Sequence, residues 1–213
     1  MVRRDTRSLI LTTSLGLFNE LGEPNVSTNH IADAADISPG NLYYHFRSRE
    51  DIALELFKLF LIRMQPLLEF EDGNRPSAEE LWLRLHLVFE TMGQFRFLYR
   101  NLGDLYARIP NLRRAFHGLL ARQRATLTRL ISGLRRQGVM TISDAQREVL
   151  VDNMLLAMTC WIPFAQIQDH PGLEDGTVLS SAVSRTLHLV IPYLREPEAS
   201  AVSKLADSYL ASG

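Results

Sequence analysis

The chain has 213 residues, 46% of them hydrophobic and 22% charged, with a formal net charge of -1 at pH 7. That is enough length for a buried core and the ordinary composition of a soluble globular protein, which argues against a fibrous or disordered chain. A near-neutral balance excludes a uniformly basic binder, so any contact with a polyanion must come from local placement of positive groups.

The first predicted helix covers about 5–21, with Ile10, Ser14, Leu17, Phe18 and Leu21 on one face. Gly22-Glu23-Pro24-Asn25 ends it, glycine standing where a left-handed cap is wanted and proline just beyond. Ser27 or Thr28 caps a short helix to Ala35. Ser38 caps another, with Pro39 at the first helical position, where a missing N–H costs nothing. Ser48 caps a fourth, which carries Leu54, Phe57, Leu61 and Met64 and is expected to end near Pro66. The loop 69–76 is the candidate internal boundary beyond it. Further helices are predicted over about 78–98, 101–108, 110–137, 143–168 and 175–194, with a weaker one from Pro197 to Leu210. The stretch 149–167 is the most apolar, but Asp152, Asn153 and Pro163 make it a poor membrane span. It is expected to be a helix buried in protein and bent at Pro163. The expected class is therefore all-α, with no membrane association.

The N-terminus lacks an apolar core behind Arg3 and Arg4, which speaks against a secretory signal. The single cysteine, Cys160, excludes an intramolecular disulfide, and a reducing cytoplasm is the expected compartment. No glycine-rich phosphate loop, nucleophile elbow, paired Cys/His spacing or carboxylate dyad stands out. His30, His45, His86, His117, His170 and His188 are scattered. An enzyme is not expected, nor any cofactor or metal. A helical enzyme, or a helical small-molecule-binding protein without DNA activity, is the alternative.

The stretch Ser27–Phe46 carries the functional signal. It reads as two short helices joined by a tight turn, with Ile31, Ala35, Ile37, Leu42 and Phe46 placed to pack together and against the first helix. Gly40 and Asn41 lie at the N-terminal end of the second helix, where a recognition helix meets base edges, and Tyr43, Tyr44 and His45 offer donors to phosphates. Over residues 1–50 five arginines (Arg3, Arg4, Arg7, Arg47, Arg49) face six acids (Asp5, Glu20, Glu23, Asp33, Asp36, Glu50). The arginines sit at the two ends, placed to straddle phosphates.

This stretch, continued through Arg47-Ser48-Arg49-Glu50, resembles the DNA-binding signature of the TetR family of transcriptional regulators. Two positions depart from the family's wording. Asp36 stands where glycine is usual in the turn, and aspartate tolerates the left-handed conformation better than most residues. Arg49 replaces the usual lysine, keeping the charge but changing its shape. The resemblance implies an N-terminal three-helix helix-turn-helix domain (1–48, motif 27–46) and a larger helical ligand-binding and dimerisation domain (49–213), connected by the helix 49–66. It implies double-stranded DNA as partner, a pseudo-palindromic operator and a homodimer. The DNA-contacting candidates are Ser27, Thr28, Asn29, Ser38, Pro39, Gly40, Asn41, Tyr43, Tyr44, His45 and Arg49.

The wording Leu17-Phe18-Asn19-Glu20, Gly22 to Thr28 and Ser38 to Phe46, with Glu80-Leu81-Trp82, Leu85-His86-Leu87 and Gln94 to Leu98, is similar to the PhaD branch, regulators of polyhydroxyalkanoate gene clusters. That likeness implies a small apolar or acyl effector, free or as a coenzyme A thioester. Its candidate residues are Leu61, Met64, Trp82, His86, Phe89, Phe95, Tyr106, Phe116, Met158 and Trp161. The arginines of 108–136, with no acid until Asp144, read either as a solvated face or as attraction for an anionic ligand. The broad apolar face of Leu179, Ala182, Val183, Thr186, Leu187 and Val190, together with the apolar stretch 149–167, is assigned to a dimer interface.

Overall fold

The computed structural model describes residues 5–69, 75–173 and 177–211. Its helices are α1 (Thr6–Leu21), α2 (Thr28–Ala34), α3 (Pro39–His45), α4 (Arg49–Leu68), α5 (Ala78–Gln94), α6 (Arg96–Arg100), α7 (Leu102–Arg108), α8 (Pro110–Arg136), α9 (Asp144–Ile167), α10 (Val178–Val190) and α11 (Glu198–Ala211). Among the described residues, pairing of the extended kind is limited to one isolated antiparallel bridge, Met140 with Leu194. The all-α expectation holds.

The chain forms two compact units, 1–62 with 95–116 and 63–94 with 117–213; the divisions fall inside α4, at the end of α5 and inside α8. This differs from the boundary expected after residue 48, because α6 and α7 belong with the first unit. The reason is aromatic packing across long sequence separations. The Phe18 and Phe97 rings lie 5.3 Å apart, Phe60 packs against Phe95 and Tyr99, and Phe57 stacks on Phe116. Buried Asn19 accepts the Phe97 backbone N–H at 3.1 Å, which satisfies a donor where α6 begins. The expected helix 78–98 accordingly breaks at Phe95, whose backbone leaves the helical region.

In the second unit α10 lies against α5, α9 and α11. It stops at Val190 because Pro192 turns the chain through a 3₁₀ segment, Ile191–Tyr193. Ser143 and Gln146 form a reciprocal capping box at the start of α9. The fourth helix outruns its expected end: Pro66 lies inside it, and its last carbonyls are taken by side chains. Arg84 donates to the Leu67 and Glu69 oxygens, both at 2.9 Å, and Thr126 donates to the Leu68 oxygen at 2.7 Å.

Two expectations need correction. The helix α9 is long and apolar enough to cross a membrane, yet 44% of its most apolar window is buried within the chain. It is one-sided, with Val149, Leu156, Phe164 and Ile167 exposed. Conversely, Ala182, Val183, Thr186, Leu187 and Val190 on α10 are buried inside the single chain, and Leu179 is half-buried. The apolar face of α10 packs against its own neighbours α5, α9 and α11.

Candidate nucleic-acid interface

Each short helix of the N-terminal motif is defined by its ends. Ser27 accepts the His30 N–H at 3.1 Å and Ser38 accepts the Asn41 N–H at 3.2 Å, with Pro39 in the first turn. Between them Asp36 takes a positive φ of 52°. The Asp36 N–H donates to the Asp33 oxygen and the Ile37 N–H to the Ala32 oxygen, both at 3.1 Å, the double bond of a Schellman cap. Aspartate thus fills the left-handed position for which glycine is the unstrained choice.

Ile31, Ala32, Ala35, Leu42 and Phe46 are buried, which fixes the rotation of both helices. The opposite surface presents Ser27, Asn29, Ser38, Pro39, Gly40, Asn41, Tyr43 and Tyr44 to solvent, with Thr28 and His45 half-buried. Tyr44 is 84% exposed and touches His45 edge-on at 5.1 Å between ring centres. The Thr28 and Tyr43 hydroxyls lie 3.1 Å apart, joining α2 to α3 on this outer face. A surface of hydroxyl, amide and imidazole groups around a glycine can approach a groove closely and donate to phosphates and base edges.

The arginines behave differently from expectation. Arg49 is turned inward: its Nε lies 2.7 Å from the Glu23 carboxylate, and its Nη1 donates to the Pro24 and Val26 oxygens at 2.9 and 3.2 Å. Its Nε and Nη1 are thus engaged within the motif, by the Glu23 carboxylate and the Pro24 and Val26 carbonyls. Arg7 pairs with Glu55 at 2.7 Å and lies over the Phe46 ring. Arg47 is exposed, while Arg3 and Arg4 fall outside the described residues.

Local patterning does not reveal what Arg49 meets. Glu23, 0% exposed, is also held by Arg108 Nη2 at 2.6 Å, and Arg108 reaches Glu50 through Nη1 at 2.5 Å and Asp104 at 2.8 Å. Burial pushes the Glu23 carboxyl up, against the pull of Arg49 and Arg108. Burial would raise Glu50 too, but its backbone hydrogen bond and the two arginines bring it below the usual carboxylate range. Only the spacing of 85 residues between Glu23 and Arg108 hides the pair.

The candidate effector residues fall into different settings. Phe95 and Phe116 belong to the aromatic core of the first unit, and Leu61 and Tyr106, both half-buried, lie in the same unit. In the second unit Met64 and Phe89 are buried. Trp82 donates to the Tyr209 hydroxyl at 3.0 Å, which lies 2.8 Å from His86 Nδ1; both residues are therefore spent on α11. Trp161 donates to the Val178 oxygen at 2.8 Å, beneath the Arg185 guanidinium. Met158 lines a cavity of about 20 Å³ with Leu85, Val88, Gln123, Thr126 and Leu127. As it stands this space is too small for an acyl chain.

The family models decide the identity. The model for bacterial regulatory proteins of the tetR family matches residues 10–56, and the TetR model, a bacterial transcriptional repressor, matches 59–202, more than half of the chain. The chain belongs to the TetR family. A TetR-family transcriptional regulator from Marinobacter aquaeolei VT8 is 32% identical, covering 96% of this chain and 98% of that one, with a TM-score of 0.87. A TetR transcription regulator from Haloarcula marismortui (19% identical, 90% and 99% covered, TM-score 0.66) and SmeT in its triclosan complex (16%, 92% and 94%, TM-score 0.58) share the fold. The transcriptional regulator AcrR of Shigella flexneri is 36% identical over 56 residues, a match that spans 26% of either chain. As a TetR-family transcriptional regulator, the protein carries its DNA-binding helix-turn-helix in the α1–α3 region described above.

Proposed function

We propose that this TetR-family regulator reads a pseudo-palindromic operator as a homodimer through α3, and that a small apolar effector governs its occupancy. The observation that carries the DNA reading is the outer face of α3: Gly40, Asn41, Tyr43 and Tyr44 are exposed while Leu42 is sealed inside. Two such helices, one per protomer, can enter successive major grooves about 34–36 Å apart. The dimer is assigned to the exposed stripe of α9, where Val149, Leu156, Cys160, Phe164 and Ile167 recur at helical spacing on one side. Selection of bound duplexes from a random pool, followed by gel shifts with the upstream region of its own gene, tests the reading. Failure to enrich any palindrome refutes it.

The effector is assigned to an acyl group, in keeping with the PhaD-like wording and with the apolar lining around Met158. The triclosan complex of SmeT supports a small apolar ligand on this fold. The cavity must open to admit a chain of roughly eight to ten carbons, whose burial at about 0.8 kcal/mol per CH₂ offers roughly 6–8 kcal/mol towards that opening. Calorimetry with acids and thioesters of graded length is the test; affinity indifferent to chain length removes the acyl reading.

A further inference from the structure

We propose that Arg108 is a positioning residue for DNA recognition: from the last turn of α7 it grips Glu23 before α2 and Glu50 after α3, so that the helix-turn-helix is bracketed at both ends by one side chain. The proposal rests on the DNA reading above. It arises from chain order combined with geometry. Glu23 lies in the turn that leads into the Ser27 cap, and Glu50 lies in the first turn of α4, directly after the motif. Arg108 holds the first at 2.6 Å and the second at 2.5 Å, while its Nε donates to Asp104 at 2.9 Å within α7 itself. A guanidinium has the forked donors to serve three carboxylates at once, whereas an ammonium is a single point of charge.

The entry strand is fastened a second time. Asn101, at the start of α7, accepts the Glu23 N–H at 3.3 Å, and Arg49 holds the Pro24 and Val26 carbonyls. The Arg49–Glu23 contact is an ion pair at 2.7 Å without hydrogen-bond alignment, since Glu23 Oε1 and Arg49 Nε have no hydrogen-bond partner. The aligned bond to Glu23 therefore comes from Arg108 on α7. Any displacement of α7 acts on both ends of the motif together, and alters the presentation of Asn41 and Tyr44 without touching DNA.

The test uses the full-length protein and a duplex that the wild type selects from a random pool, with an unrelated duplex as reference. Arg108→Gln is expected to weaken the selected duplex roughly tenfold or more and the unrelated one much less, with the helical far-UV spectrum retained. Arg108→Lys recovers part of the loss. Glu50→Gln, at a half-exposed site, costs several-fold in the same ratio even if Arg108→Gln fails to fold. Adding it to Arg108→Gln costs nothing further, because the arm is already gone. Preference for the selected duplex unchanged in both single variants overturns the proposal, as does a loss that cooling to equal folded fraction abolishes. A wild type that selects no duplex at all removes the DNA reading itself, and is recognisable before any variant is made.

Discussion

Assigning the subunit contact to α9 and the core to α10 sets up a sharp contrast between two leucines. Leu187 on α10 is 0% exposed, whereas Leu156 on α9 is 62% exposed in the single chain. Leu187→Ala empties a core position, a change that costs about 2–5 kcal/mol. For a domain of this size that lowers the melting temperature by roughly 4–20 °C, at about 2–4 °C per kcal/mol. It leaves the subunit contact alone. Leu156→Glu leaves the subunit core alone, but in a twofold contact it buries one unpaired carboxylate from each protomer, at about 3–5 kcal/mol. With two such carboxylates per dimer, at about 1.4 kcal/mol per decade, the dimer dissociation constant rises by about four to seven orders of magnitude. Sedimentation over a concentration series, paired with thermal melts of each variant, measures both quantities. A Leu187→Ala protein that dissociates without melting earlier, or a Leu156→Glu protein that stays dimeric, refutes the assignment of α9.

Tyr44→Ala is expected to weaken binding to all duplexes and to lower the salt dependence little, whereas Asn41→Ala relaxes selectivity at one base position at a cost of about 1–3 kcal/mol; binding titrations against single-base variants distinguish them, and identical profiles contradict the roles. Asp36→Gly is expected to be neutral or stabilising by up to about 1 kcal/mol, while Asp36→Val loses about 1–2 kcal/mol at this exposed, left-handed position; equal denaturation midpoints for the two variants would falsify the backbone argument. The Glu55 carboxyl is held below its usual range chiefly by its hydrogen bond from Arg7, so it stabilises the fold above the ordinary carboxylate pKa and ceases to as pH falls through the lowered value. Glu55→Gln therefore costs about 0.2–1 kcal/mol at neutral pH and nothing in strong acid; a penalty that grows on acidification would reverse the sign.

Local chemistry makes the helix-turn-helix legible from sequence. Ser27, Ser38, Pro39 and Asp36 each act on backbone groups within a few residues, so composition and order suffice to place α2, the turn and α3. Burial of Leu42 and exposure of Tyr44 likewise follow from one helical period. What escapes such reading is long-range. The residue pattern shows an apolar stripe on α10 but not that α11, a weak terminal helix by its composition, closes over part of it with Tyr209 between Trp82 and His86. Nor does it show which acid an arginine will choose: Arg49 has the charge and place of a phosphate ligand, but Glu23 lies beside it and takes it inward.

Both tryptophans of the chain, Trp82 and Trp161, lie in the second unit, one bonded to the Tyr209 hydroxyl and the other to the Val178 carbonyl under Arg185. The helix-turn-helix has tyrosines but no tryptophan. Indole emission therefore reports on the second unit alone, with an imidazole ring beside one fluorophore and a guanidinium over the other, while far-UV ellipticity averages over every helix. Unfolding followed by the two signals in parallel is a measurement of cooperativity that needs no label. Superimposed transitions mean that the whole chain melts as one body, and an ellipticity loss that precedes the change in emission means that the DNA-reading end melts first.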